Sequence, residues 1–188
     1  DSIGPVIGRE LKRKSVTALF LALSAIILYI AFAFRKVSKP VSSWKYGVVA
    51  IFALIHDIII PIGVFSILGH FWGVEVDTLF ITALLTILGF SVHDTIVVFD
   101  RIRENLQKLK SPEPYTITVN RSVNETITRS INTSLTVLLV LLMVIFIGGD
   151  TTKFFALALI LGVTFGTYSS IFVAAPLLVI WDKWTKND

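Results

Sequence analysis

Five stretches of this chain are apolar enough, for long enough, to cross a lipid bilayer, and that leaves the backbone few choices. Hydrocarbon offers no water to satisfy N–H and C=O groups, so each spanning segment must pair its own, as a helix does. At about 1.5 Å of rise per residue, roughly 20 apolar residues cross about 30 Å. The stretches run over about 16–34, 46–71, 79–99, 131–147 and 154–180, the last long enough to tilt or project. The expected fold class is an all-α integral membrane protein. It is read as a single transmembrane domain over residues 1–188, a bundle of five transmembrane helices with a cytoplasmic amphipathic helix.

Composition agrees. A hydrophobic fraction of 54%, a charged fraction of 16% and a mean hydropathy of +0.80 are too oily for an ordinary soluble domain. With no cysteine there is no disulfide and no thiolate metal site, and neither a metal nor a cofactor is expected. The net charge of +4 sits in short gaps between apolar stretches, where membrane topology accounts for it without nucleic acid. The chain opens at Asp1 with neither an initiator Met nor a signal-peptide pattern, so a segment of a longer protein is expected.

The gaps set orientation. Arg35, Lys36, Lys39 and Lys45 fill the first, and Arg101, Arg103, Lys108, Lys110, Arg121 and Arg129 the third, whereas the second has no Lys or Arg and the fourth only Lys153. Positive residues stay inside, so the first and third gaps and the C-terminal Lys183 and Lys186 are expected in the cytoplasm. The cluster Arg9, Lys12, Arg13 and Lys14 then lies outside, as it would behind an earlier helix and a translocated domain. In the third gap Ser111-Pro112-Glu113-Pro114 breaks any helix, and Val119, Val123, Ile127 and Ile131 then recur at i, i+4. This predicts a cytoplasmic loop and amphipathic helix over about 106–130, leading into the fourth membrane helix.

Polar residues inside the apolar stretches are the candidates for function. GFSVHDTIVVFDRIREN places His93 and Asp94 in the third helix, where a charge costs about 2.5–3.5 kcal/mol even on lenient scales. Asp94 falls about 8 Å inside the cytoplasmic edge, and Asp100 lies at that edge beside Arg101, Arg103 and Glu104. Asp57 sits near the middle of the second helix, four residues before Pro61, which cannot donate to the Asp57 carbonyl and should kink the helix. His56 and His93 each precede an aspartate, but helical neighbours point about 100° apart, so neither pair should form a dyad alone. Arg129, Asn132, Thr133 and Ser134 open the fourth helix. Arg129 either snorkels to headgroups or turns inward to Asp94. Desolvation favours a protonated carboxyl and a nearby cation favours the carboxylate, so such a pair could bind and release a proton. In the fifth helix Gly162 and Gly166, followed by Thr167, Ser169, Ser170, Ala174 and Ala175, permit close helix packing, and Pro176 should bend it.

Five segments carry a resemblance: GPVIGREL at Gly4–Leu11, HDIIIPIG at His56–Gly63, GFSVHDTIVVFDRIREN, SVNETITRSINTSLT at Ser122–Thr136 and FGTYSSIFVAAPL at Phe165–Leu177. With them the chain resembles the membrane region of the SecF branch of the bacterial SecD/SecF protein-export family, relatives of the resistance-nodulation-division transporters. The resemblance implies a multi-pass protein of the bacterial plasma (inner) membrane, here without the first helix and the external domain. It implies SecD and the SecYEG translocon as partners, preprotein substrates engaged through the external domain, and use of proton-motive force. The family's intramembrane aspartate matches Asp94 and an arginine of the same proton pathway matches Arg129. No family role carries over to His93.

The expectation is therefore an auxiliary, non-enzymatic subunit of the Sec export machinery. Rival readings are a proton-coupled exporter of small molecules or lipids from the same superfamily, a structural translocon subunit, and an intramembrane protease. The last would use Asp57 with Asp94, or Ser91 with His56, but lacks a GxGD pattern at Asp94 and any evident oxyanion motif.

Overall fold

The computed structural model describes residues 5–33, 43–109 and 113–187, and every described element is helical. The elements are α1 (Pro5–Ala33), α2 (Ser43–Trp72), α3 (Thr78–Lys108) and α4 (Tyr115–Ile147), followed by α5 (Asp150–Ser169), a π-helical turn (Ser170–Ala174) and α6 (Ala175–Asn187). The last three run on without a break, so the described residues hold five apolar helices long enough to cross a membrane. Their surface is inverted relative to a soluble protein: Phe20, Leu28, Phe52, Phe146 and Ile147 all point outward. A hydrocarbon solvent makes that arrangement stable.

Local chemistry ends the helices. Gly73 takes a left-handed φ of 67° after α2 and its N–H reaches the Gly69 carbonyl at 3.1 Å. Asp77 caps α3 by accepting from the Phe80 N–H at 2.8 Å. Helix α2 continues through Pro61. Lys45 near the start of α2 donates to Thr185 near the end of α6 at 2.5 Å, and Tyr46 bonds Tyr115 at the start of α4 at 3.1 Å. One end of the bundle thus gathers the segments expected to flank the first and third gaps and the C-terminus.

Several helices outrun the apolar stretches. Helix α3 continues to Lys108, and α4 starts at Tyr115 as one helix, so the expected separate amphipathic helix is the lower half of α4 and the connection shrinks to residues 109–114. The extension is held by ion pairs at helical spacing, Arg101–Glu104 at 2.6 Å and Glu104–Lys108 at 2.5 Å, which hydropathy cannot register. Glu113 accepts from Thr118 and Arg121. Arg35, Lys36, Lys39, Lys110, Ser111 and Pro112 lie outside the described residues.

The apolar stripe read as one face of the amphipathic helix is only partly turned into the bundle. Val119 is buried, but Val123 and Ile127 are only half-buried and Ile131 is exposed. The buried line on α4 is instead Thr118, Ser122, Thr126, Ser130 and Ser134. Apolar side chains cost nothing against lipid, whereas hydroxyls need partners, so it is the polar line that turns inward.

Helices α3 and α5 form the centre, each packed against α2 and α4. The apolar core falls into two clusters. One holds Tyr46, Val49, Val98, Phe99, Ile102, Val119 and Leu178; the other holds Phe65, Phe80, Leu84, Ile87, Leu88, Leu141 and Leu159. Along α3, α4 and α5 the buried residues between them are polar: Ser91, Asp94 and Thr95, then Ser130 and Ser134, then Thr167, Ser169 and Ser170. This polar layer, at mid-depth in the bundle, holds the site.

Candidate functional site

Asp94 is 7% exposed and lies near the middle of α3. Its Oδ1 accepts from the Ser130 hydroxyl of α4 at 2.6 Å, and its Oδ2 from the Ser170 hydroxyl, the first residue of the π-helical turn. A π-turn widens the helix by a residue, and Pro176, whose missing N–H frees the Phe172 carbonyl, gives it a local cause. Ser170 also lies 3.0 Å from the Thr167 carbonyl, so its hydroxyl has a second acceptor. Ser134 extends the network to the Ser130 carbonyl at 2.7 Å and to the Thr167 hydroxyl.

Asp57 is fully buried, at the middle of α2. Its Oδ2 accepts from Ser91 of α3 and from Ser169 of α5 at 2.7 Å, while its Oδ1 lies 2.9 Å from His56 Nδ1. The His56–Asp57 contact corrects the expectation that adjacent residues would not pair. Cβ vectors 100° apart do not stop an imidazole from folding back along its helix. The carboxyl stands between serine and imidazole, so Ser91 has no histidine base and the cluster is not a nucleophile-activating triad.

Of the two readings left open for Arg129, the inward turn to Asp94 is not the arrangement seen here. Arg129 is exposed, and Ser130, one residue on and about 100° around α4, meets the carboxyl instead. Asn132 is exposed on the Arg129 side of α4, as are Thr133 and Thr136, a face set by i, i+3, i+4, i+7 spacing. His93 is exposed on α3, and Asp100, also exposed, sits 3.6 Å from Arg103. Ser134, unlike Asn132, belongs to the buried network. Among the described residues no group of three or more His, Asp or Glu is placed to hold a metal ion.

Gly162 and Gly166 face α3. A Cβ at Gly162 would overlap the Ile87 side chain, and one at Gly166 would stand 3.2 Å from the Ser91 Cβ. Close approach of α5 to α3 is what brings Ser169 and Ser91 to a common carboxyl oxygen. The sequence offers Ser91 only as a rival protease nucleophile and Thr167, Ser169 and Ser170 only as packing residues, and it does not single out Ser130. For Ser130 a signal existed, since Ser122, Thr126, Ser130 and Ser134 repeat every four residues, as buried helix contacts do.

Chemically, Asp94 is a carboxyl in a low-dielectric layer, solvated by two hydroxyls, with no Lys or Arg within salt-bridge distance among the described residues. Hydroxyls stabilise a carboxylate but do not neutralise it. A proton does, and both serines can rotate to accept the new O–H.

Comparison with known proteins gives this arrangement its relatives. Residues 1–184 match the family described as "Protein export membrane protein SecD/SecF, C-terminal". The "Protein translocase subunit SecF" of Thermobaculum terrenum is 55% identical over 182 residues, covering 97% of this chain and 56% of that protein. That of Anaerolinea thermophila is 48% identical over 183 residues, covering 97% and 58%. The crystal structure of the translocon-associated membrane protein SecDF from Thermus thermophilus superposes with a TM-score of 0.84 at 45% identity, covering 98% of this chain and 23% of that one. The chain thus spans a little over half the length of these SecF relatives.

Proposed function

The chain belongs to the SecD/SecF C-terminal family of protein export membrane proteins, and from that premise we propose that it is the membrane part of an auxiliary Sec subunit that couples proton-motive force to preprotein translocation. The observation that carries the reading is Asp94: a buried carboxyl in the central helix, held by hydroxyls from two other segments and, among the described residues, by no cation. Protonation removes a charge from the polar layer and weakens its hold on Ser130 and Ser170, which biases the packing of α4 and the π-turn against α3. One charge crossing 100 mV supplies about 2.3 kcal/mol, and reversing a two-state equilibrium from 1:99 to 99:1 takes about 5.5, so a few protons per stroke suffice.

The Arg129, Asn132, Thr133 and Thr136 face is too polar for lipid at this depth, which supports its covering by a SecD-type membrane partner. In that assembly Arg129 serves the proton pathway from the outer side of α4, reaching Asp94 only in an arrangement with α4 rotated. The SecYEG channel and a preprotein, met through an external domain, complete the proposed machine. The membrane is the bacterial inner membrane, with the C-terminus and the joined ends of α3 and α4 in the cytoplasm, as the Lys and Arg distribution supports.

The test is proton-motive-force-dependent release of a preprotein from sealed vesicles, comparing the full parent complex with its Asp94→Asn variant at matched abundance. Loss of stimulation with the complex still assembled is expected. Unchanged stimulation makes Asp94 structural and leaves a scaffold subunit as the better reading.

A further inference from the structure

Asp57 is a second buried carboxyl that the mechanism above does not use, and its hydrogen bonds differ in kind from those of Asp94. Both serine donors, Ser91 and Ser169, converge on Oδ2, while Oδ1 meets only His56 Nδ1. In the carboxylate state the imidazole donates from Nδ1 to Oδ1. In the acid state the proton sits on Oδ1 and is donated to Nδ1, and Oδ2, now a carbonyl oxygen with two lone pairs, still accepts from both serines. No hydrogen bond is lost in either state.

The same geometry supplies a route. Asp57, Ser91 and Ser169 are fully buried, whereas the His56 side chain is 34% exposed and is the part of the cluster that reaches the bundle surface, where at this mid-membrane depth a polar group of a packed membrane neighbour, not hydrocarbon, has to hand it the proton. A proton taken up at His56 Nε2 lets the imidazole pass its Nδ1 proton to Asp57 Oδ1. One proton enters at one ring nitrogen, one leaves from the other, and the ring ends neutral in its other tautomer.

Among the described residues His56 is the one charged or titratable side chain recorded in contact with Asp57. On α3 the nearest carboxyl is Asp94, three residues beyond Ser91, and it is engaged by Ser130 and Ser170. From α1 the described charged residues Glu10, Arg13 and Lys14 are all exposed. Asp182 of α6 lies by Tyr46, about 16 Å along α2 from Asp57. Helix α5 and the π-turn bring hydroxyls, not charges, to the site.

We propose that Asp57 is a second exchangeable-proton site of this bundle, loaded through the His56 imidazole and distinct from the Asp94 site. As a further station in energy coupling, it rests on the proton-driven reading given above.

The experiment is infrared difference spectroscopy of the protonated-carboxyl C=O band, recorded on the full-length parent protein in vesicles between about pH 5 and pH 9. Two titrating components are expected, one removed by Asp57→Asn and the other by Asp94→Asn. Ser169→Ala should raise the frequency of the Asp57 component alone, a readout that survives if Asp57→Asn fails to fold. His56→Gln should keep that component at equilibrium while slowing its appearance after a pH jump by at least about tenfold, the loss of a proton-transfer group. A component that does not titrate, or a spectrum unmoved by both Asp57→Asn and Ser169→Ala, overturns the proposal. Loss of only the Asp94 component would instead strike the relay of the preceding section, so the two failures are separable.

Discussion

Ser169 and Ser170 are consecutive residues whose hydroxyls donate to different aspartates, Ser169 to Asp57 of α2 and Ser170 to Asp94 of α3. The divide falls at the junction of α5 with the π-turn. Each serine also has a backbone acceptor, Gly166 at 3.1 Å for Ser169 and Thr167 at 3.0 Å for Ser170, so either hydroxyl can leave its carboxyl without becoming an orphan.

Alanine at these positions should separate the two sites. Each substitution removes a hydrogen bond to a group that can carry charge, with a stability loss of about 1.5–3 kcal/mol expected in detergent unfolding. Ser170→Ala should reduce proton-driven preprotein release through the Asp94 site. Ser169→Ala should leave the Asp94 infrared component in place, and a shift of that component would show that the sites are not separately held.

On α4, Arg129 and Ser130 should respond in opposite ways. Arg129 is exposed and lacks an ion pair among the described residues, so Arg129→Gln should change bundle stability by no more than about 0.5 kcal/mol while lowering proton-driven release. Ser130→Ala removes a buried donor to Asp94 and should lower stability as well as release. Equal destabilisation by both would mean that Arg129 is held inside the bundle.

The glycine contact offers a packing test. A side chain at Gly162 must displace Ile87, so Gly162→Ala should destabilise by about 1–3 kcal/mol, the usual range for overpacking. Ile87→Ala added to it should recover part of that loss, because the overlap is with the Ile87 side chain. The double-mutant cycle of unfolding energies checks this; purely additive losses would place the strain elsewhere.

What the sequence could reveal follows from which forces leave a period in it. Membrane helices were legible because hydrocarbon thickness demands an apolar run, and Asp94 stood out against such a run. The ends of α3 and α4 were not, since Arg101, Glu104 and Lys108 look like loop charges until their i, i+3 and i, i+4 pairing is seen. Depth placed Arg129 near Asp94, but the choice between Arg129 and Ser130 is a rotation of about 100°, which depth does not encode. Ser170 was beyond reach for a further reason: the π-turn shifts the helical phase after Ser169, and no periodicity announces it.

Beyond the polar layer, α3 and α4 are clamped by Arg101 and Asn105, which both donate to Glu125 Oε2, at 2.6 and 2.8 Å. Asn105 also reaches the Ser122 hydroxyl at 2.9 Å. Glu125→Ala should therefore quicken amide exchange over residues 115–126, and raised salt should do the same in the unaltered protein, since exposed pairs are screened. Exchange that ignores both would assign the clamp to Asn105 and Ser122 alone.

Pro176 should set the register of the Asp94 site from a distance. It cannot donate to the Phe172 carbonyl, and the segment immediately before it, Ser170–Ala174, is the π-turn. Pro176→Ala restores the missing N–H and favours ordinary α-helical bonding across this stretch. Ser169 belongs to α5 and keeps its place over Asp57, whereas Ser170 belongs to the turn and is drawn away from Asp94. The variant should insert and assemble normally, keep the Asp57 infrared component, shift the Asp94 component and lose proton-driven release. If both components and release are unchanged, packing of α5 and α6 holds the π-turn without the proline, and the geometry at Asp94 is set by the surrounding helices.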